Sequence, residues 1–374
     1  MFLIHAKYLD KDFRLVQGDL ELENGRIKAV GESLSYQPED TVVDCQGYTI
    51  VPGFVDVHIH GCGGADTCDG TREAIDTMAQ FLIRHGVTSF CPTTMTTDRE
   101  IIEKALLSAR KCMDAPCEDG ARVVGVNMEG PFISKEKKGA QREEAILAPD
   151  MELFRHFYEL SGGIVKLIAL APEQPGGYEF AKEASRLCAV SIAHTTANYE
   201  EAKKSFDCGV THATHLFNAM SGLSHRSPGV VGAVFDDDRV LAEIICDGLH
   251  LHPAVLRTAF RQLGDRALVI SDSMRANGLP EGEAFDLGGQ MVTVRNGKAT
   301  LEDGTIAGSV TNLHQEVKNL VSFGIPFETA VKAATLIPAR SIGLEQELGS
   351  IEPGKRADLV VLDDKLDIVA VYHE

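Results

Sequence analysis

Eight short apolar runs, each ending in polar residues, recur along the chain at 55–60, 87–92, 123–129, 165–170, 190–194, 210–215, 240–247 and 268–272. Up to their polar ends they are apolar or β-branched, the composition of buried strands. Amphipathic stretches at 71–85, 98–113, 150–160, 178–188, 199–208 and 253–263 separate them and predict helices, several closed by glycine. Only a weak helical pattern lies between the sixth and seventh runs. The alternation has the spacing of βα units in a barrel of about 250 residues, so the expected fold is α/β, a TIM (β/α)8 barrel.

The flanks read differently. Strand-like segments at 1–8, 19–30 (around the Asn24-Gly25 turn) and 41–51 carry no helical periodicity. Beyond Asp272, residues 289–308 are strand-rich, with Asn296-Gly297 and Asp303-Gly304 turns, and helices are expected at 311–323 and 326–342. The tail, 348–372, returns to strands that cannot bury two faces alone, so it is paired with the N-terminal segment. The expectation is a small β-sandwich domain from residues 1–52 plus 346–374, and a barrel from 53–345.

Composition narrows the function. The 374 residues, 44% hydrophobic and 24% charged, suit a large globular core. A net charge of -19 without any basic run argues against a nucleic-acid partner, although one or two placed Arg or His side chains suffice for a small phosphate. Nine cysteines, an odd number without a CxxC pattern, read as reduced thiols. No stretch reaches about 20 apolar residues and the first residues lack a signal-peptide core, so the expectation is a cytoplasmic protein with no membrane partner.

In such a barrel the active site lies at the C-terminal strand ends, and here those ends carry metal-ligand residue types. The first run closes on His58 and His60, which strand alternation points to one face. The third closes on Glu129, the fifth on His194, the sixth on His215 and the eighth on Asp272. A lone strand histidine is more often a hydrogen-bonded core residue, but ligand types at successive strand ends together point to a site. Imidazoles with a carboxylate suit Zn(II) or Fe(II), which acidifies water or polarises a carbonyl: hydrolase chemistry. Asp272 alone reads as a helix cap or turn residue; at a barrel strand end it becomes a candidate acid/base. His212, three residues from His215, falls on the opposite strand face and is expected to be structural, as are His85, His156, His314 and His373. No GxSxG elbow offers a serine nucleophile.

At these residues the chain resembles the N-acetylglucosamine-6-phosphate deacetylases of the amidohydrolase superfamily, nearly end to end. The resemblance rests on PGFVDVHIHG from Pro52, NMEGPFI from Asn127, KKGAQ from Lys137, AHTTA from Ala193 and THLFNAMSGLSHRSPG from Thr214. CDGLHLHP, SDSMRANGL, GTIAGS and GSIEPGKRADLVVLD follow. The HxH and the GKRADLVVLD tail mark the wider superfamily; EGPFI, HLFNAM with SHRSPG, and DGLH mark the deacetylases. The resemblance implies a homodimer, a sugar-phosphate substrate, a divalent metal held by Glu129, His194 and His215, and Asp272 as acid/base. It further implies substrate contacts at Ala140, Gln141, Asn218, Ala219, Arg226, His250, Ile306, Ala307 and Gly308, with Arg226 and His250 near the phosphate and open to donation across the dimer.

Two positions depart from some family members. Relatives lacking the HxH use one metal, so His58 and His60 raise the possible count to two per chain. Others carry histidine where Gln141 stands; glutamine donates a hydrogen bond to the acetamide but cannot become cationic. Deacetylation of N-acetylgalactosamine 6-phosphate is the nearest alternative, since one hydroxyl's stereochemistry separates the sugars. A non-catalytic amidohydrolase-like scaffold is the alternative from another class, and it would be expected to have lost ligands that this chain keeps.

Overall fold

The structure, a computed structural model, describes residues 1–282, 284–287 and 290–373. Gly289 and Glu374, at the limits of two expected segments, lie outside the described residues. Eight parallel strands pair in chain order as a curled sheet: Phe54–Ile59, Val87–Thr94, Val126–Met128, Val165–Leu170, Ala189–Ile192, Val210–Ala213, Leu241–Ile244 and Ala267–Val269. Just beyond the eighth strand, Asp272 N–H donates to His58 O and His60 N–H to Ser273 O, both at 2.9 Å. The two edges of the sheet therefore meet where the functional residues lie.

Helices follow the strands in turn: Arg72–Arg84, Arg99–Asp114, Met151–Leu160, Gly177–Ala184, Tyr199–Asp207, Gly229–Phe235, Pro253–Leu263 and Leu313–Ser322. Their starts have local causes. Thr71 and Asp150 accept from first-turn N–H groups, and Asn198 forms a capping box with Glu201. In Pro253–Leu263 the buried residues Leu256, Ala259, Phe260 and Leu263 recur at helical spacing and face the sheet.

Two expected elements are divided. The third run splits at Gly125: Arg122–Val123 pairs beside the second strand, while Val126 N–H turns to Ile164 O. The expected 326–342 helix breaks at Thr335 (φ -132°, ψ -78°) into Phe327–Ala334 and Leu336–Ser341. Pro338 is the cause, because it lacks an N–H and its ring clashes with the carbonyl four residues back.

Both chain ends join one sheet, in the order Ile368–Tyr372, Leu359–Leu362, Thr49–Pro52, Phe2–Leu9, Leu15–Glu23 and Arg26–Gly31, with Val42–Asp44 also on Phe2–Leu9. Where a sandwich of two sheets was expected, the ladders form a single network. The strand Phe2–Leu9 bulges at His5 (φ 59°) and changes its parallel partner from Val42–Asp44 to Thr49–Pro52. Strand alternation buries both faces: Ile50, Leu359 and Val361 join Leu3 and Leu20, while Val51, Val360 and Leu362 pack with Phe54 and the main core.

Gly53 links this sheet to the first parallel strand. A Cβ there would lie 2.2 Å from Thr88 Oγ1 and 2.9 Å from Thr88 Cβ, and Thr88 is buried and β-branched. Gly53→Ala is expected to destabilise the chain by about 1–3 kcal/mol through overpacking, read as a lower urea midpoint at unchanged slope.

The strand-rich segment after Asp272 is an antiparallel sheet of Ala284–Leu287, Gln290–Arg295 and Lys298–Thr300, turned at Asn296-Gly297, both of whose φ values are positive. Its Leu287, Val292 and Val294 pack with Met95 and Met274, which seats it over the strand ends.

Candidate active site

Six side chains from five strand ends converge. Glu129 Oε1 lies 3.0 Å from His194 Nε2, 2.9 Å from His215 Nε2 and 3.6 Å from His58 Nε2. Glu129 Oε2 is 3.0 Å from His60 Nε2. Asp272 Oδ1 is 3.3 Å from His60 Nε2 and 3.5 Å from His58 Nε2. All six are buried, and they form two groups with metal-ligating geometry, Glu129–His194–His215 and His58–His60–Asp272.

The outward nitrogens test whether these residues suit a metal. His194 Nδ1 is 2.8 Å from Lys137 O, His60 Nδ1 is 3.2 Å from Thr93 O, and His58 Nδ1 is 2.9 Å from Glu243 Oε2. Carbonyls and carboxylates only accept, so each Nδ1 carries a proton and each ring turns its Nε2 toward the carboxylates. His194 and His215 Nε2 are 3.1 Å apart, and His58 Nε2 is buried without a hydrogen-bond partner. Imidazole nitrogens and carboxylates packed this way hold a cation, either a proton on Nε2 or a metal ion, and backbone or carboxylate acceptors behind ligand histidines are the usual support of a metal site. The donor set suits a divalent ion.

Protonation follows the same field. Burial opposes charge on His58 and His60, yet Glu243, Glu129 and Asp272 hold His58 well above the usual imidazole range, and Asp272 and Glu129 raise His60 to about 10. Burial works against ionisation of Glu129 too, but the facing imidazoles keep its carboxyl well below the ordinary range. Asp272 is lowered against its own burial by His58 and His60. A field that draws protons to these Nε2 atoms draws a divalent cation to the same lone pairs.

The backbone is strained here. His194 (φ 43°), His215 (φ 30°) and Asp272 (φ 46°) occupy the left-handed region, as do Phe217 (φ 82°) and Ala219 (φ 51°). Such positions are disfavoured for side chains with a Cβ and persist where the surroundings over-determine them. Here the turn out of each strand swings the side chain into the cluster.

A cavity of about 400 Å³ opens over the cluster. His60, Glu129, His194, His215 and Asp272 line it, as do Ala140, Gln141, Asn218, Ala219, His250, Ile306 and Gly308. His58 sits beneath. Ala307, expected among the contacts, is fully buried in the core under the added sheet and bonds Ala299 O, its neighbours facing the cavity instead. Arg226 does not line the cavity of its own chain; it is exposed, with Nη1 2.8 Å from His225 Nε2. The Gln141 amide donates to Glu129 Oε2 at 2.5 Å and accepts from Thr96 N–H at 2.7 Å, so it braces Glu129. Asp247 Oδ2, 2.7 Å from His250 Nδ1, aims the His250 ring. His212 lies apart, bonded to Thr211, its pKa pushed down to about 4 by burial.

The Amidohydrolase family profile matches residues 49–373. The N-acetylglucosamine-6-phosphate deacetylase of Bacillus subtilis is 35% identical over 358 residues, covering 94% of this chain and 90% of the relative. The chain belongs to the amidohydrolase family, among its N-acetylglucosamine-6-phosphate deacetylases. The crystal structure of the Pasteurella multocida deacetylase of that name superposes with a TM-score of 0.93 at 30% identity, covering 100% of this chain and 97% of that one. An Escherichia coli N-acetylgalactosamine-6-phosphate deacetylase is 32% identical over 335 residues, covering 89% of this chain and 88% of the relative.

Strand-end reasoning missed Glu243, Lys137 and Asp247 in this amidohydrolase. Glu243 left one signal, a charge in the middle of a run that otherwise reads as a buried strand. Lys137 acts through its carbonyl, which carries no sequence signal.

Proposed function

We infer that this amidohydrolase hydrolyses N-acetyl-D-glucosamine 6-phosphate to D-glucosamine 6-phosphate and acetate. The observation that carries the reading is the buried Glu129–His194–His215 group with Asp272 at the floor of one cavity, in a chain 35% identical to a deacetylase of that substrate over 94% of its length.

Glu129, His194 and His215 are the residues to hold a divalent ion, Zn(II) or Fe(II), with His58, His60 and Asp272 able to take a second. When bound, such an ion supplies Lewis acidity toward the acetamide carbonyl and toward water. Asp272 takes a proton from water as its oxygen attacks the carbonyl carbon. The same carboxyl returns the proton to nitrogen as the C–N bond breaks, because an amine departs only when protonated. Gln141 keeps Glu129 oriented, and Ala140, Asn218, Ala219, Ile306 and Gly308 shape the sugar site, with Ala307 supporting the last two from behind.

His250 serves the 6-phosphate from within the chain, and Arg226 serves it from a second copy in a homodimer. This is supported by the position of Arg226 outside its own cavity and by the exposure of Leu223 (56%), close to Arg226 in sequence, and of Leu249 (49%), next to His250. We read the curled sheet as a TIM barrel over residues 53–345 and the end sheet, residues 1–52 plus 346–374, as a small β-domain. Nine free thiols favour the cytoplasm. Among the described residues no helix is long and apolar enough to cross a membrane.

The test is acetate release from N-acetylglucosamine and N-acetylgalactosamine, each with and without the 6-phosphate, before and after chelation. The galactosamine sugar is included because of the E. coli relative. Hydrolysis is expected to be fastest with N-acetylglucosamine 6-phosphate, to be lost on chelation and to return with Zn(II) or Fe(II). Full activity of a protein shown to contain no metal would refute the proposed role of the ion.

A further inference from the structure

Each metal group has one carboxylate, and in the second the imidazole pair His58–His60 must also be turned with the ligating nitrogens inward. His58 is fully buried on the first parallel strand, and its Nδ1 meets the fully buried Glu243 of the seventh strand at 2.9 Å. The backbone at Glu243 is held independently of that contact, since Leu216 N–H donates to its carbonyl at 2.8 Å. The remaining His58 nitrogen, Nε2, has no hydrogen-bond partner and faces Asp272 Oδ1 at 3.5 Å and Glu129 Oε1 at 3.6 Å.

We propose that Glu243 is a positioning residue for a second divalent cation: by accepting from His58 Nδ1 it holds the ring with its Nε2 lone pair toward Asp272, and so makes His58–His60–Asp272 a metal site distinct from Glu129–His194–His215. A histidine ring has two tautomers and two flipped orientations, and a ligand must present a lone pair on one particular nitrogen. A carboxylate behind the ring selects that state and makes the ligating nitrogen more basic. Glu243 also brings a third carboxylate to a pocket that otherwise holds two carboxylates among four imidazoles, which favours a second dication over a single one. His60 has only a backbone carbonyl, Thr93 O, behind its Nδ1, so the charge at Glu243 is what distinguishes the support of this pair.

The inference rests on the metal-dependent reading above, and its test does not use turnover. Metal-stripped wild type and Glu243→Gln are titrated with Co(II), followed by visible absorption and by equilibrium dialysis with elemental analysis. Wild type is expected to bind two ions per chain. Glu243→Gln, which keeps the size and a hydrogen-bond acceptor but loses the charge, is expected to keep one ion at wild-type affinity and to bind the other about ten- to a hundredfold more weakly. The double variant His58→Asn with His60→Asn is expected to bind one ion. Glu243→Asp, which retains charge at shorter reach, provides a second variant and is expected to weaken the same ion alone.

The proposal is overturned if Glu243→Gln binds both ions as wild type does, or if both ions weaken alike. It is overturned as well if wild type takes up a single ion, a result that leaves the deacetylase reading standing. A wild type that binds none would overturn both.

Discussion

Asp272→Asn is expected to lower turnover by about two to four orders of magnitude while N-acetyl-D-glucosamine 6-phosphate still binds. The substitution preserves size and removes the base. Asp272 faces the cavity and sits in the left-handed conformation that brings Oδ1 toward His58 and His60. Those imidazoles hold its carboxyl below the usual range in spite of burial, so it is ionised at neutral pH and ready to accept a proton. An amide oxygen at the same place is far less basic and leaves the departing nitrogen without its acid. Because Asp272 belongs to the His58–His60 group, the ion at Glu129–His194–His215 is expected to stay. Steady-state kinetics, substrate binding by calorimetry and elemental analysis separate the effects. Near-normal turnover would assign the proton transfers to another group.

The site was legible because of where its residues fall in sequence. Val55 to Ile270 include continuous apolar runs, since strands buried on both faces need no polar positions until they leave the sheet. His60, Glu129, His194, His215 and Asp272 mark those exits, and a two-residue period was enough to put His58 and His60 together. The local features that escaped have local causes: the third run is interrupted at Val124 and Gly125 and shifts by one residue against the second strand, and Pro338 breaks a helix whose apolar pattern runs on without interruption. The Glu243–His58 contact had no sequence signature of pairing, as its partners lie 185 residues apart and meet only when the sheet curls. Backbone conformation was equally hidden, for nothing in the residue types at His194 or His215 signals a positive φ. What the sequence reveals is which residues leave a strand; the turn that aims each one is set by packing.

Arg226 presents the sharpest test of the quaternary reading. Its guanidinium does not line the cavity of its own chain, and on the dimer reading it reaches the phosphate from a second copy. A guanidinium on a phosphate makes charge-assisted, often bidentate bonds, and each is worth about 1.5–3 kcal/mol. Arg226→Ala is therefore expected to lower kcat/KM for the 6-phosphorylated sugar by about ten- to more than a hundredfold, and to leave the unphosphorylated sugar almost unchanged. Mixing decides the source of the arginine. In a dimer of one Arg226→Ala chain and one Asp272→Asn chain, the first chain keeps its acid/base and receives an intact arginine from its partner. Two nearly inactive proteins, unfolded and refolded together, are then expected to recover roughly a quarter of wild-type activity, since half the dimers are mixed and each has one complete site. An arginine acting within its own chain gives no recovery. Equal losses for both sugars in Arg226→Ala, with the dimer intact, would make this residue a support of the loop and not a phosphate ligand.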